Sequence, residues 1–371
     1  MKIGIPREIK NNEYRVAITP AGVHEFVRCG HEVFVEREAG VGSSISDFDY
    51  LEAGARIVPS ADEIWGIGEL ILKVKEPIAE EYGRLRNDQV LFTYLHLAAD
   101  ERCAKALLTA GTTGIAYETV QLADGSLPLL APMSEVAGRL SAQVGSYHLM
   151  RHCGGRGVIM GGVPGVMAAK VVVIGAGVAG LNSATIALGM RAEVRILDTN
   201  VAKLRHIDEA YSGQLQTVAS NSYEVERAVS SADLVIGAVL VAGARAPKIV
   251  SNELVSHMKS GSVLVDIAID QGGCFEDSRP TTHDEPTFLV HNSLFYCVAN
   301  MPGAVPHTST FALTNVTTPY ALEIANRGWR QALLRDRALA LGLNTFGGRL
   351  TNSAVAEAHG YPCVSINEIL T

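Results

Sequence analysis

Three apolar runs of this sequence contain or end in side chains that can carry charge or exchange protons. ELILKVKEP contains Lys75, QVLFTYLH ends in His96, and SVLVDIAID ends in Asp270. Lysine can hold a carbonyl oxygen or a carboxylate by charge, and histidine is suited to acid–base work near neutral pH. Arg15, after NNEY, adds a planar guanidinium that suits bidentate binding of a carboxylate. These residue types match the anchor, the polarising group and the proton carriers that hydride transfer to a carbonyl or imine requires.

Each of these residues also has an ordinary structural interpretation. Lys75 could pair with Glu76 or another acid, and Lys73 on the same strand face favours a salt bridge for one of the two lysines. The histidine could be a core or loop residue, and the arginine could lie on the surface. Asp270 could cap the turn that begins at QGG, while Asp266 on the same run is expected to cap or bond backbone.

The segment VVVIGAGVAG is the strongest local motif. Gly175, Gly177 and Gly180 have GxGxxG spacing after an apolar strand and at the start of the helix-like AGLNSATIALGM. The first glycine allows a tight turn, the second admits a pyrophosphate close to the backbone, and the third allows helix and strand to pack closely. Asp198 ends the next predicted strand, where a carboxylate can bind ribose hydroxyls and repel the extra phosphate of NADP. The motif therefore predicts NAD, although Lys203 nearby could tolerate a phosphate.

Further strand ends in this half of the chain predict the walls of the dinucleotide site, because ligands of open α/β sheets bind beyond the carboxyl ends of the strands. For each position alone, packing within a loop is the alternative. These positions are Ser220, Val239, Leu240, Ile267, Ala268, Ile269, Asp270, Val298, Ala299, Asn300 and Met301, in addition to Val178 and Ala179 inside the glycine motif.

Composition excludes several classes of protein. The 371 residues carry a net charge of −8, so an acidic chain without a basic run is a poor candidate for nucleic-acid binding. Six scattered cysteines without a CxxC pair indicate reduced thiols, and no apolar stretch reaches the roughly 18–20 residues that span a bilayer. We expect a cytoplasmic protein without a membrane partner. His148 and His152 have a spacing that permits a metal site, but no further ligand pattern supports one, and we expect no metal.

Alternating strand-like and helix-like segments predict the elements that position these residues. The first third contains a helix after Thr19 and several short apolar strands, which indicates a parallel sheet covered on both faces. A long helix capped by Ser134 and a glycine-rich hairpin or flap, GGRGVIMGGVPGV, precede a second alternating set of six strands. The last 60 or so residues are expected to be helical and to return to the first domain.

The fold prediction is therefore α/β, with two Rossmann-like doubly wound parallel-sheet domains and an active-site cleft between them. The predicted substrate domain is discontinuous and covers residues 1–130 and 309–371. The predicted NAD-binding domain covers residues 131–308.

Several runs resemble NAD-dependent alanine dehydrogenases, and the resemblance covers nearly the whole chain. They include IGIPREIKNNEYRVAITPAG, LILKVKEP, FTYLHLA, APMSEVAGRL, VVVIGAGVAG, LVDIAIDQGGCFE and CVANMPGAVP. The resemblance implies oxidative deamination of L-alanine to pyruvate and ammonium, and a homohexamer. It also implies substrate binding by Arg15 and Lys75, and acid–base roles for His96 and Asp270.

The resemblance also extends the predicted sites. It places Ser134, Val178, Asp198, Lys203, Ser220, Ile267, Arg279 and Asn300 where the family binds NAD. Tyr94, Met133 and Asn300 are candidate neighbours of the substrate. Three alternatives remain: the nucleotide-binding subunit of a proton-pumping transhydrogenase, a non-enzymatic NAD-responsive protein, and an opine- or saccharopine-type dehydrogenase.

Overall fold

The computed structural model describes residues 1–239 and 246–370. Clustering of contacts divides the chain into two compact units. Unit 1 consists of Met1–Met133 and Val305–Thr371, so it is built from two separate stretches of chain, and unit 2 consists of Ser134–Ala304.

The strands are short, as expected for sheets that alternate with helices. Their bounds, for the described residues, are β1 (Lys2–Ile5), β2 (Glu32–Glu36), β3 (Arg56–Val58), β4 (Leu70–Leu72), β5 (Val90–Thr93), β6 (Thr113–Ala116), β7 (Lys170–Ile174), β8 (Glu193–Asp198), β9 (Gln216–Ala219), β10 (Leu234–Gly237), β11 (Val263–Asp266), β12 (Thr287–Val290), β13 (Ser293–Tyr296), β14 (Leu343–Phe346) and β15 (Arg349–Leu350).

The helices begin mostly at residues whose side chains accept a bond from the first free backbone N–H groups. Thr19 caps the first helix, and Pro20 occupies its first position, as predicted. For the same described residues, the helices are α1 (Pro20–Arg28), α2 (Asp47–Glu52), α3 (Ala61–Ile67), α4 (Glu101–Ala110), α5 (Ala131–His148), α6 (Val178–Gly189), α7 (Val201–Tyr211), α8 (Ser222–Ser231), α9 (Asn252–Ser256), α10 (Pro306–Arg327), α11 (Trp329–Arg335), α12 (Arg337–Ala340), α13 (Ser353–His359) and α14 (Ile366–Leu370).

Unit 1 contains a mostly parallel sheet with the strand order β15-β14-β6-β5-β4-β1-β2-β3. Strands β1 to β6 pair in parallel, whereas β14 and β15 join the β6 edge antiparallel. Every residue of β4, β5 and β6 is buried, which is the pattern of a parallel sheet covered on both faces. The order of the six parallel strands, 3-2-1-4-5-6, is that of a doubly wound nucleotide-binding fold.

Unit 2 has the strand order β12-β13-β11-β10-β7-β8-β9. The six parallel strands of unit 2 repeat the order 3-2-1-4-5-6, and β12, which was not predicted, joins the β13 edge antiparallel. The core of unit 2 lies on both sides of the sheet, because alternate residues of each strand enter different apolar clusters. Val171 and Val173 of β7 pack in one cluster, and Val172 and Ile174 pack in the other. The doubly wound α/β class predicted for both halves is confirmed.

Several predicted boundaries are wrong by a few residues. The long helix begins at Ala131, so Ser134 lies inside its first turn and does not precede it as a cap. Strand β11 ends at Asp266, and Ile267–Gln271 form a 3-10 helix because the Asp266 carboxylate accepts the N–H of Ala268. Strand β13 likewise ends at Tyr296, before the predicted 298–301 end.

The C-terminal stretch is only partly helical, contrary to prediction. Leu343–Phe346 and Arg349–Leu350 form strands that extend the first sheet. The pairing of β14 with β6 and of β15 with β14 outweighs the helical tendency of the surrounding sequence, a tertiary effect that local patterns do not contain. The glycine-rich stretch before β7 does form a tight hairpin, in which Val163 and Val166 exchange backbone hydrogen bonds.

Candidate active site

The point where the strand order of unit 1 reverses lies between β1 and β4, where ligands of doubly wound sheets bind. The loops that follow β1, β4 and β5 start on this side of the sheet. They carry, respectively, residues 6–19, 73–77 and 94–100, and therefore Arg15, Lys75 and His96. Parallel pairing of neighbouring strands thus brings the three predicted residues of unit 1 to one edge of its sheet.

The two lysines of LILKVKEP have different environments. Lys73 is fully buried, and its ammonium lies 3.0 Å from Glu8 and 2.9 Å from Glu81. Burial alone would lower the pKa of Lys73, but these two carboxylates outweigh it and raise that pKa. Lys73 is therefore the lysine that forms the structural salt bridge.

Lys75, by contrast, is half-buried, and its ammonium has no ion pair or hydrogen bond within residues 1–239 and 246–370. Its predicted alternative partner, Glu76, forms its ion pair with Lys10. Burial would raise the pKa of Glu76, but the charges of Lys75 and Lys10 lower it. A cation that the fold leaves without a close partner is available to an anionic or carbonyl ligand.

The Glu8 carboxylate binds both the side chain of Lys73 and the backbone that follows it. One oxygen of its carboxylate bonds to Lys73, and the other accepts the backbone N–H groups of Val74 at 2.6 Å and Lys75 at 3.3 Å. Thr93 of β5 donates to the carbonyl of Lys75 at 3.0 Å. The backbone at Lys75 is therefore held from both neighbouring segments, and only its side chain is left to move.

Arg15 is almost completely buried, at 2% exposure, and is oriented by Glu13. Two guanidinium nitrogens donate to the Glu13 carboxylate, Nε at 2.7 Å and Nη2 at 2.6 Å, while Nη1 lies 3.0 Å from the Met133 thioether. Burial would raise the pKa of Glu13, but Arg15 and, more weakly, Lys75 lower it to about 2. Glu13 therefore stays ionised at neutral pH and presents the remaining face of Arg15 toward Met133.

His96 lies just beyond β5 with 41% of its side chain exposed. Its ring is stacked on that of Tyr94, with centroids 5.6 Å apart and planes 7° from parallel. The Tyr94 hydroxyl donates to the carbonyl of Leu129 at 2.6 Å, and burial raises the pKa of this phenol. Tyr94 therefore acts as a neutral platform, and His96 is the group with access to solvent.

The glycine motif of unit 2 has the geometry that its three predicted roles require. Gly175 has φ +102°, and a Cβ on Gly180 would lie 1.8 Å from the carbonyl oxygen of Gly175, so both positions exclude any other residue. A Cβ on Gly177 would meet nothing within 4 Å. Gly177 is also the N-cap of α6, without a side-chain cap, so the start of this helix is open to a phosphate.

Asp198, at the end of β8, connects the glycine loop to the next loop. Its oxygens accept the N–H of Ala176 at 2.7 Å and the N–H of Asn200 at 2.7 Å. An ionised carboxylate can accept about four bonds, so further acceptor sites remain for ribose hydroxyls. Lys203 lies exposed in the first turn of α7, two residues beyond the loop.

Asp270 and Asp266 differ as the sequence predicted. Asp266 is buried, and its carboxylate accepts backbone bonds from Ala268 and Cys274 and a bond from Ser278, so it fixes the loop that follows β11. Asp270 lies exposed on the 3-10 helix, and no hydrogen bond or ion pair of its carboxylate occurs among the described residues. The next residue, Gln271, has a buried amide oxygen without a partner there, and this oxygen can accept a ligand N–H.

The other predicted cofactor-binding residues differ in how exposed their side chains are. Val178 is 45% exposed at the start of α6, and Ser134, Ala179, Ser220, Val239, Ala299 and Asn300 are at most partly buried. Ala268, Ile269, Val298 and Met301 are core side chains, so their backbone alone is accessible to a ligand. The guanidinium of Arg279 stacks on Phe288, 4.2 Å from the ring centroid. Ile267 is partly buried, and Leu240 lies outside the described residues.

Two functional positions were missed from the sequence. Glu8 and Glu13 were not singled out, although both determine how a predicted cation is held. Glu13 could have been found from its spacing of two residues from Arg15. Glu8 carried no local signal, because its partner Lys73 is 65 residues away along the chain.

Neither a metal site nor a membrane span is indicated where the structure is described. No group of three or more metal-binding side chains occurs in residues 1–239 and 246–370. In those same ranges, no helix has both the length and the apolar composition to cross a bilayer. The rings of His148 and His152 instead pack around Tyr147, at centroid distances of 5.4 and 5.7 Å.

The strand order, the open glycine loop and the acid that ends the second strand define a protein of the dinucleotide-binding α/β class. Two family models match the chain: "Alanine dehydrogenase/PNT, N-terminal domain" over residues 4–137 and "Alanine dehydrogenase/PNT, C-terminal domain" over residues 141–353. The chain therefore belongs to the alanine dehydrogenase/PNT family, and the resemblance read from the sequence is confirmed.

Individual relatives agree with this assignment. An alanine dehydrogenase of Mycolicibacterium smegmatis is 65% identical over 370 residues, covering 100% of both chains. A solved L-alanine dehydrogenase superposes with a TM-score of 0.94 at 50% identity, covering 97% of this chain and 99% of the other. A transhydrogenase structure from Sinorhizobium meliloti is more distant, with a TM-score of 0.80 at 26% identity over 95% of this chain and 100% of that one.

The glycine geometry predicts different effects for two equivalent substitutions. We expect Gly177→Ala to fold normally and to weaken dinucleotide binding, because its Cβ has space in the protein but would enter the phosphate cradle. Gly180→Ala should instead lower the melting temperature, because its Cβ would overlap the carbonyl oxygen of Gly175. Calorimetry of unfolding and NADH titration separate the two effects, and equal loss of stability in both variants would contradict the assignment.

The depressed pKa of Glu13 predicts a specific dependence of stability on pH. A carboxyl whose folded pKa is about 2 stabilises the fold above its ordinary value of 4.5 and loses that stabilisation as the pH falls from 4.5 toward 2. The difference in free energy of unfolding between wild type and Glu13→Gln should therefore shrink by roughly 2 kcal/mol between pH 6 and pH 3. Urea unfolding at both pH values measures it, and a constant difference would show that Glu13 is not the titrating group.

Proposed function

We propose that this protein is an NAD-dependent L-alanine dehydrogenase. The reaction converts L-alanine, NAD and water reversibly to pyruvate, ammonium, NADH and a proton. Membership of the family over nearly the whole chain supports this function. The observation in the site that carries it is Lys75, which follows β4 at the switch point of unit 1 and whose ammonium forms no ion pair or hydrogen bond among the described residues.

Arg15 and Lys75 anchor the substrate in this proposal. Glu13 occupies one edge of the Arg15 guanidinium, and the weak acceptor on Nη1 is the Met133 thioether. A carboxylate is a far stronger acceptor than a thioether, so the substrate carboxylate would displace it. Lys75 then supplies a second positive charge to the carboxylate or the carbonyl oxygen, and Tyr94 lies at the side of the substrate.

His96 and Asp270 exchange protons in this proposal. When hydride leaves the α-carbon of alanine, an iminium forms on the substrate, and water must add to it before ammonia can depart. One group has to accept a proton from that water, and the departing nitrogen has to receive one. His96 is exposed beyond β5 and Asp270 is exposed on the 3-10 helix, so each has a free side chain for transfer.

The residues of unit 2 fit NAD. The open cradle at Gly177 receives the pyrophosphate, with Gly175, Val178, Ala179 and Gly180 around it, and Asp198 binds the adenosine ribose. NAD supplies the hydride acceptor when it is bound. The remaining proposed contacts are Ser134, Lys203, Ser220, Val239, Leu240, Arg279 and Asn300, together with the backbone of 267–270 and 298–301.

Other parts of the proposal rest on the resemblance. They are a cytoplasmic location, homohexameric assembly, and the functional division into a substrate-binding domain (1–130 and 309–371) and an NAD-binding domain (131–308). The proposal that Asn300 lies near the substrate also rests on the resemblance.

An assay with omitted substrates tests the function. We expect purified protein to oxidise NADH only when pyruvate and ammonium are both present, because the imine forms from both. Loss of NADH absorbance is the measurement, and omission of each substrate in turn is the control.

The alternatives predict other outcomes of this assay. NADH binding without turnover would indicate a binding protein, and turnover with an amino acid in place of ammonium would indicate an opine-type dehydrogenase. Exchange of hydride between NADH and an NADP analogue without pyruvate would indicate a transhydrogenase component. Any of these three results would contradict the proposal.

The two neighbouring lysines provide a matched pair of variants. We expect Lys75→Met to reduce kcat/KM by roughly 100-fold or more with almost unchanged stability, because its ammonium has no close partner in the described fold. Lys73→Met should lower the free energy of unfolding by roughly 3–5 kcal/mol, because Glu8 and Glu81 would remain buried without their cation. Steady-state kinetics and thermal unfolding of both variants measure the contrast, and reversed effects would contradict the assignment of the two lysines.

A further inference from the structure

Glu118 lies in the turn after β6, the strand that pairs with β5 in parallel. Its carboxylate is only 14% exposed and accepts the N–H groups of two consecutive residues of the His96 loop. The N–H of Leu95 is 3.2 Å from both carboxylate oxygens, and the N–H of His96 is 2.6 Å from Oε1. Consecutive backbone N–H groups that converge on one anion form a concave anion site, and here the anion is a side chain of the same unit.

The backbone of His96 needs such support. Its φ of +47° lies in the left-handed region, which residues other than glycine seldom adopt. The side chain is 41% exposed, so core packing does not hold it. On the far side, the loop is fixed by the His359 ring, whose Nε2 lies 2.6 Å from the carbonyl oxygen of Leu97.

The same carboxylate also faces the imidazole ring. Oε1 of Glu118 lies 3.9 Å from Nδ1 of His96, within ion-pair distance but beyond hydrogen-bond distance. A carboxylate near Nδ1 favours a proton on that nitrogen, which leaves Nε2 as the proton acceptor. One side chain is therefore placed to determine both the backbone conformation and the ring orientation of His96.

We propose that Glu118 is the positioning residue of His96, holding it in the left-handed conformation in which Nε2 is presented to the substrate. This inference rests on the proposed acid–base role of His96. Glu118 itself does not touch the substrate in this account. Glu118 contributes by keeping His96 in the conformation from which proton transfer is productive.

The test compares Glu118→Ala and Glu118→Gln with a matched control, Glu52→Gln. Glu52 is an exposed carboxylate at the end of α2, so it repeats the charge change away from the His96 loop. We expect amide hydrogen exchange in the segment 94–97 to become faster in Glu118→Ala and to be unchanged in the control. This measurement does not depend on any activity, so it remains decisive if the alanine dehydrogenase assay fails.

Kinetics provide the second measurement. We expect kcat to fall roughly 10- to 100-fold in Glu118→Ala, because poor positioning of an acid–base group removes part of its contribution to the rate. The affinity for NADH should stay within about twofold of wild type. Glu118→Gln keeps one acceptor oxygen, so its kcat should lie between that of wild type and that of Glu118→Ala. Added formate should raise kcat of Glu118→Ala severalfold by occupying the two N–H groups, whereas wild type should show no gain.

Three results would overturn the inference: wild-type kcat in Glu118→Ala, unchanged exchange in 94–97, or a rate loss that formate does not relieve in a folded variant. If Glu118→Ala fails to fold, the same exchange and kcat measurements on Glu118→Leu, which fills the space but has no acceptor oxygen, decide the question. Wild-type exchange and kcat in that variant would exclude the positioning role. A lack of alanine-dependent activity in wild type would reject the proposed function instead.

Discussion

The buried ion pairs of Lys73 are the interaction on which the unit 1 site depends. A lysine in an apolar environment is tolerated only if its charge is matched, and Glu8 and Glu81 supply that match. Because Glu8 also binds the backbone of Val74 and Lys75, the same carboxylate that neutralises one lysine positions the next. Glu8 thus acts on both lysines: it pairs with the ammonium of Lys73 and holds the backbone that carries the proposed substrate-binding Lys75.

A common arrangement recurs in each unit: a carboxylate binds backbone or a cation, and it thereby holds a residue, or the loop of a residue, that has a proposed role in chemistry. Glu13 orients Arg15, Glu8 orients the Lys75 segment, and Asp266 fixes the loop that carries Asp270. Charge-assisted bonds are stronger than neutral ones, and low solvent exposure strengthens them further. The acids fix the backbone that carries these groups, so a ligand would not have to order the loops when it binds.

The doubled strand order explains where the sites lie. Both sheets have the order 3-2-1-4-5-6, so each has one place where successive connections leave on opposite sides of the sheet. Unit 2 carries its glycine loop there, and unit 1 carries its cations there. One topology thus provides an anion-binding helix start in one unit and a cluster of basic and proton-exchanging side chains in the other.

The sequence alone determined the α/β class, the parallel strands and most helices, the glycine loop with Asp198, and the residues Arg15, Lys75, His96 and Asp270 as polar groups beside apolar runs. These features depend on short-range periodicity and on backbone conformations that only certain residues permit. Only the tertiary structure decided that Lys73 is the lysine with buried ion pairs while Lys75 forms none among the described residues, that Glu8 and Glu118 hold distant loops, and that β14 and β15 join the first sheet. The reason is physical: ion pairing and sheet pairing depend on partners that folding brings together from distant parts of the chain.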